Sequence, residues 1–352
     1  MEGFKEFSRF LDLLEGPPTT IAPRVKTLRI TNFFLRYGTW KRRKAGHKLA
    51  SKLSQLRSIQ TVSQQWCILP ETFLDFILAL PAVEISIEDT TIYTSKQFFD
   101  LFNSYLVAQG SQNLAIYHLQ LEEGPDAFLD HVYLFEKRFH LRAIDSTSLV
   151  NFHDVWDPVK SRAKITVETF YLQLYGLGVE QKYLPFLRNF LLEIGPSLDN
   201  LAVELSYPHW GRGVLSAYKE LDLTSCVALK AVHIGIICMD HRQTALMNTT
   251  WKLFEALPPF AIKTIGLIFD IGVPLDDCTA PLISFPWTET IERIQDMFPS
   301  SKHIKIKIGC YSDEPKAGRV GSIAQALHSK FMKLPIKVSF TAIIWTSIGS
   351  ST

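Results

Sequence analysis

The chain has 352 residues, of which 47% are apolar, 12% aromatic and 20% charged, with a formal net charge of +2. That is the composition of a folded globular protein and excludes a chain disordered throughout. The five cysteines, Cys67, Cys226, Cys238, Cys278 and Cys310, are odd in number and form no close pairs, which argues against a disulfide framework and for a reducing compartment, cytoplasmic or nuclear.

The opening MEGFKEFSRF lacks the apolar run of a signal peptide, and Phe4, Phe7, Leu11 and Leu14 make one helical stripe instead. Val25-x-x-Leu28-x-Ile30 follows as the first strand-like phrase. No acidic residue stands between Glu15 and Glu71, while Arg24, Lys26, Arg29, Arg36, Lys41, Arg42, Arg43, Lys44, Lys48, Lys52 and Arg57 are all basic. Such an asymmetry marks a site for an acidic partner.

Phe73, Ile77 and Leu80 give the next helical stripe, followed by the strand Ile85-x-Ile87. Thr94 and Gln97 form a capping box ahead of Phe98, Phe102 and Tyr105. From about Ala108 to Gln181 the pattern is poorly kept: Leu114, Ile116, Leu119 and Leu121 predict a strand, and Ala127–Lys137 a helix. Leu184, Leu187, Leu191 and Ile194 then line a helix with Pro185 in its first turn.

The first phrase now recurs as Leu198-x-x-Leu201-x-Val203-x-Leu205, Leu229-x-x-Val232-x-Ile234 and Ile262-x-x-Ile265-x-Leu267-x-Phe269. A helix on Trp287, Ile291, Ile294 and Phe298, with Ser284 as its cap, leads to Ile304-x-Ile306-x-Ile308. A last helix on Ile323, Leu327, Phe331 and Leu334 leads to Ile336-x-Val338-x-Phe340. The final uncharged stretch, Val338 to Thr352, is too short and too rich in Ser and Thr to span a bilayer, so no membrane role is expected.

Helices alternating with short period-two strands call for parallel strands joined by helical crossovers. The spacing selects among such folds: 31 residues from Leu28 to Ile59, 31 from Leu201 to Val232, 33 to Ile265 and 39 to Ile304. A phrase recurring at nearly fixed spacing predicts a solenoid whose every turn refills the same interior. The expected fold is therefore α/β, a leucine-rich-repeat-like horseshoe with parallel strands on the concave face and helices on the convex face. It would be a single domain over residues 1–352, with a helical cap at 1–24, irregular repeats at 25–334 and a closing strand and tail at 335–352.

The segments FSRFLDLLEGPPTTIAPRVKTLRI, LPETFLDFILALPAVEISIEDTTI, FLRNFLLEIGPSLDNLAVELS and LTSCVALKAVHIGI resemble the degenerate leucine-rich-repeat proteins of mushroom-forming fungi, many of which carry an F-box ahead of the repeats. The resemblance implies a protein-binding solenoid that recognises substrates for an SCF-type ubiquitin ligase. Two departures stand out. Leu69-Pro70-Glu71-Thr72-Phe73-Leu74 opens like an F-box but runs into the repeat strand Leu80-Pro81-Ala82-Val83-Glu84-Ile85, so no F-box is recognised. The asparagine typical of leucine-rich repeats is replaced by Phe33, Ser206, Ile237 and Asp270.

Alternation places Arg29, Glu84, Ser86, Glu204, His233, Lys305 and Lys307 on the outward face of their strands, which makes them the expected protein-binding residues. Lys41, Arg42, Arg43, Lys44 and Lys48 form a basic patch suited to a nuclear-localisation signal, or to nucleic-acid or anion binding through residues 24–57. Cys226, His233, Cys238 and His241 have zinc-binding side chains without zinc-site spacing. Gly309–Ser322 has glycines and cations before a helix but no phosphate-loop motif, and reads as a surface loop. Trp66, Trp156, Trp251 and Trp287 are expected in the core, and Trp210 in a loop. No G-x-S-x-G or H-E-x-x-H motif occurs, so neither an enzymatic activity nor a cofactor or metal is expected.

Overall fold

The computed structural model describes residues 24–31, 60–65, 84–92, 113–121, 137–151, 163–173, 183–205, 221–237, 243–274, 285–311, 325, 331 and 336–345. The chain divides into two compact units, residues 1–168 and 169–352. The expected helices at Phe4–Leu14, Phe73–Leu80 and Phe98–Tyr105 lie outside the described residues, as do the basic patch Lys41–Lys48, Cys238, His241, Trp66, Trp156 and Trp210.

The first unit holds β1 (Thr27–Thr31), β2 (Thr61–Gln65), β3 (Glu84–Glu88), β4 (Thr91–Ile92), β5 (Asn113–Tyr117), β6 (Gln120–Leu121), β7 (Lys137–Asp145) and the short helix α1 (Ser146–Asn151). The strand β8 (Ala163–Gln173) runs through the boundary with the second unit. β1, β2, β3, β5 and β7 pair in chain order, each parallel to the next. β4 and β6 form a separate parallel pair just past the ends of β3 and β5. Lys137, expected to end a helix, instead opens β7.

Parallel neighbours need long crossovers, and the phrase spacing supplies them. Its register needs one correction. Leu28 faces Val62, not Ile59, so the first repeat is longer than the sequence spacing indicated. Ile59 is a poor guide because it lies outside the five paired residues Thr61–Gln65.

The second unit holds the later part of β8, then α2 (Leu184–Ile194), β9 (Asn200–Leu205), β10 (Ala231–Ile237), α3 (Gln243–Glu255), β11 (Thr264–Pro274), α4 (Trp287–Met297), β12 (His303–Tyr311) and β13 (Lys337–Trp345). β8 through β13 pair in chain order, all parallel. The recurring phrase is the register itself: Phe170, Leu201, Val232, Ile265, Ile304 and Val338 stand in one row, and Leu172, Val203, Ile234, Leu267, Ile306 and Phe340 in the next. Leu198, Leu229 and Ile262, three residues upstream of the first row, are fully buried as well. The β9, β10 and β11 repeats thus put the same three positions into the core, whereas Ser301 of the β12 repeat is half-buried.

The helices pack on that inner side. Leu184, Leu187, Leu191 and Ile194 of α2 are buried as expected, together with Phe190, whose ring lies 5.8 Å from Phe170 of β8. Pro185 sits in the first turn of α2, where its missing N–H costs nothing. On α4, Trp287, Ile291 and Ile294 are buried; Pro286 occupies the N-cap, and Glu289 in the first turn complements the helix dipole. Phe269 of β11 meets the Trp287 ring edge-on at 5.2 Å. Gly195, directly after α2, is a required glycine: an added Cβ would stand 2.9 Å from the backbone carbonyl of Ser225 in the next repeat.

The opposite faces of β3 and β9 alternate strictly, one residue buried and the next half-exposed. The architecture is α/β, built on parallel strands that follow one another in chain order within each unit.

Candidate partner-binding face

In the second unit the outward residues form ordered rows. Tyr171, Ala202, His233, Gly266, Lys305 and Ser339 are in register, and beyond them Gln173, Glu204, Gly235, Ile268, Lys307 and Thr341. The structure therefore brings together four residues expected from alternation: Glu204, His233, Lys305 and Lys307. All four are half-buried at the sheet surface.

Glycine shapes the middle of this face. An added Cβ on Gly266 would lie 2.1 Å from Nδ1 of His233, so the imidazole occupies the space that any other residue would fill. Gly235 is not filled in this way: an added Cβ there would make only ordinary contact, at 3.6 Å, with the Glu204 Cγ. Burial in this slot, then the charges of Lys305 and Lys307, lower the His233 pKa from its ordinary 6.5. His303, on β12, is lowered too, by burial and by Lys305 and Lys337. Its Nε2 lies 2.8 Å from the Ser339 hydroxyl.

In the first unit, Arg29, Ser63 and Ser86 share one row of β1, β2 and β3. Arg29 is exposed, and Glu84 and Ser86 are half-buried. Glu84 forms an ion pair with Arg142 of β7. Arg142 is the extra residue where the β5–β7 register shifts, since Leu114 faces Leu141 and Ala115 faces Ala143.

No family model, curated protein or solved structure gives a significant match to this chain. The site is therefore read from its own geometry.

One cluster was not visible in the sequence. Asp89 and His118 follow β3 and β5 at equivalent points, and both hold left-handed backbone, with φ of 45° and 50°. His118 Nδ1 lies 2.9 Å from Asp89 Oδ1 and its Nε2 3.5 Å from Asp145 Oδ2. The His118 amide also donates to Asp145 Oδ2 at 2.8 Å. Asp145 Oδ1 accepts from the Ser148 amide at 2.9 Å and so caps α1, while the Leu119 amide donates to Ser148 Oγ. Asp145 is 1% exposed, and burial raises its pKa despite these bonds and His118. Its two carboxylate oxygens are already engaged in holding strand ends together, which is a structural task.

The cysteine–histidine set is not assembled among the described residues. Cys226 is buried beside the turn Leu223–Ser225, and burial raises its thiol pKa to about 11, whereas His233 is on the outward face. No group of three or more His, Cys, Asp or Glu side chains placed to hold a metal ion occurs among the described residues. Of the expected loop Gly309–Ser322, Gly309 to Tyr311 belong to β12, and Lys316, Gly318, Arg319 and Gly321 lie outside the described residues. Trp251 and Trp287 are core residues as expected. No described helix is long and apolar enough to cross a membrane.

Proposed function

We propose that the chain is a non-catalytic protein-interaction scaffold of leucine-rich-repeat-like units that receives its partner on the outward face of its parallel strands. The supporting observation is the segregation of that face. Residues of one parity pack against helices, while Glu204, His233, Lys305 and Lys307 form a polar array on the other side. A doubly wound enzyme has helices over both faces of its sheet and a crevice at a reversal of strand order. Here the strand order within each unit does not reverse among the main strands. The family resemblance adds the role of substrate receptor for an SCF-type ubiquitin ligase.

Cross-linking of the full chain with its captured partner, mapped to residues, tests the face. Cross-links at Lys305 and Lys307 are expected. Cross-links confined to the outer sides of α2, α3 and α4 would overturn the proposal. Recovery of the ligase adaptor with the chain tests the ligase role separately.

A further inference from the structure

We infer that the outward face of β11, β12 and β13 docks an acidic peptide segment of the partner. The inference rests on the interaction-face reading and adds the chemistry of what binds.

Lys305, Lys307 and Lys337 are in the outward rows, and two further lysines stand at the strand starts. Lys263 and Lys302 stand immediately before β11 and β12, linked by a backbone hydrogen bond from the Lys302 amide to the Lys263 carbonyl. Lys337 opens β13 in register with His303. Lys305 and Lys307, two apart on β12, point to the same face about 7 Å from each other. That is also the same-side repeat of an extended peptide, so alternate carboxylates of an acidic strand match it.

The residues in register beside Lys305 and Lys307 carry no charge. Lys305 stands between Gly266 and Ser339, and Lys307 between Ile268 and Thr341. Asp270, beside Gly309 further along, is the only acidic residue among the described residues of the three strands. Glu204 lies three strands from β12, roughly 14 Å at ordinary strand spacing. The contrast with Lys230 is informative. One repeat earlier than Lys263, Lys230 pairs with Asp199 at 2.6 Å, whereas none of the ion pairs among the described side chains involves Lys263, Lys302, Lys305, Lys307 or Lys337. Burial first, and Lys305 after it, lower the pKa values of both His233 and His303.

The composition favours carboxylate over nucleic-acid phosphate. All five cations are lysines, and no arginine occurs among the described residues of these strands. Planar bidentate recognition of phosphate draws on the arginine fork, while a lysine ammonium serves as a point charge for a single carboxylate.

The test uses the purified full chain and a fluorescein-labelled oligoglutamate peptide, read by anisotropy. Saturable binding that weakens with added salt is expected. The double variant Lys305→Gln, Lys307→Gln should lower affinity about tenfold at unchanged melting temperature. The variant Lys252→Gln, at an exposed position of α3, should bind as the parent does. Absence of peptide binding, or affinity unchanged in the Lys305/Lys307 variant, overturns the inference. So does a single-stranded oligonucleotide of equal charge that binds more tightly and loses affinity in that same variant.

Selection of random peptides on the immobilised chain separates the two readings. Acidic peptides that lose binding in the Lys305/Lys307 variant support both. Neutral or basic peptides that depend on His233 and Glu204 overturn the acidic inference and keep the interaction face. If no selected peptide depends on any outward residue, both readings fall.

Discussion

The imidazole of His233 lies across Gly266 on the neighbouring strand, in the volume where a Cβ would come within 2.1 Å of its Nδ1 and 3.0 Å of its Cγ. The close approach involves the whole ring, not the tip of a flexible chain. Gly266→Ala is therefore expected to displace His233 and to destabilise the second unit by about 1–3 kcal/mol, the usual cost of overfilling a packed site. Combining it with His233→Ala should return most of that loss. Urea denaturation of the two single variants and the double variant measures the coupling, and additive effects would refute the slot.

A pH dependence follows from the same histidines. His233 and His303 titrate below 6.5 in the folded chain. Between the folded value and 6.5 the unfolded chain binds more protons, so stability falls as pH drops through that window and is unaffected by these groups well above it. Removing Lys305 and Lys307 charges should move the His233 midpoint upward, because two repulsive ammonium groups are gone. Proton-detected imidazole titration by NMR in the parent and the Lys305→Gln, Lys307→Gln variant checks both statements.

The parts of the fold that were legible are those where alternation runs unbroken. Leu201, Val232, Ile265 and Ile304 hold equivalent places in the sequence pattern and stand in one register row. The middle of the chain failed for a physical reason. In β8 the buried residues are Ile165 and Val167, then Phe170 and Leu172, so the phase slips at the unit boundary. In β7 Leu141, Ala143, Ile144 and Asp145 are all buried around a register shift, and no period-two pattern survives. The outward residues of β9, β10 and β12 needed only parity to be found. The Asp89–His118–Asp145 cluster needed left-handed turns and partners 27 and 29 residues away, which no local pattern encodes.

Core aromatics give a prediction of larger size. Phe269 is fully buried between Trp287 at 5.2 Å and Phe285 at 5.8 Å. Phe269→Ala removes a ring from β11 and leaves α4 facing a cavity, at an expected loss of about 3–5 kcal/mol. Phe269→Leu fills much of the volume and should cost less than half as much. Thermal unfolding distinguishes the two, and equal losses would contradict the packing described.

Asp145 ties together three elements, and its removal tests that role. Asp145→Ala leaves the His118 and Ser148 amides without their acceptor and uncaps α1. One buried donor, one part-buried donor and a cap together put the expected loss at about 2–4 kcal/mol. Asp145→Asn keeps one accepting oxygen but turns an NH2 group toward the other donor, so it should recover only part of the loss. The charge contributes in the opposite sense to most carboxylates. Burial raises the Asp145 pKa above 3.8, so the folded chain binds the extra proton between those values and this group's contribution declines as pH rises through the folded value. The deficit of Asp145→Ala relative to the parent should accordingly be greatest in acid. Amide hydrogen exchange provides the local readout: His118 and Ser148 should exchange faster in the alanine variant, while amides of β11 and β12 keep their parent rates.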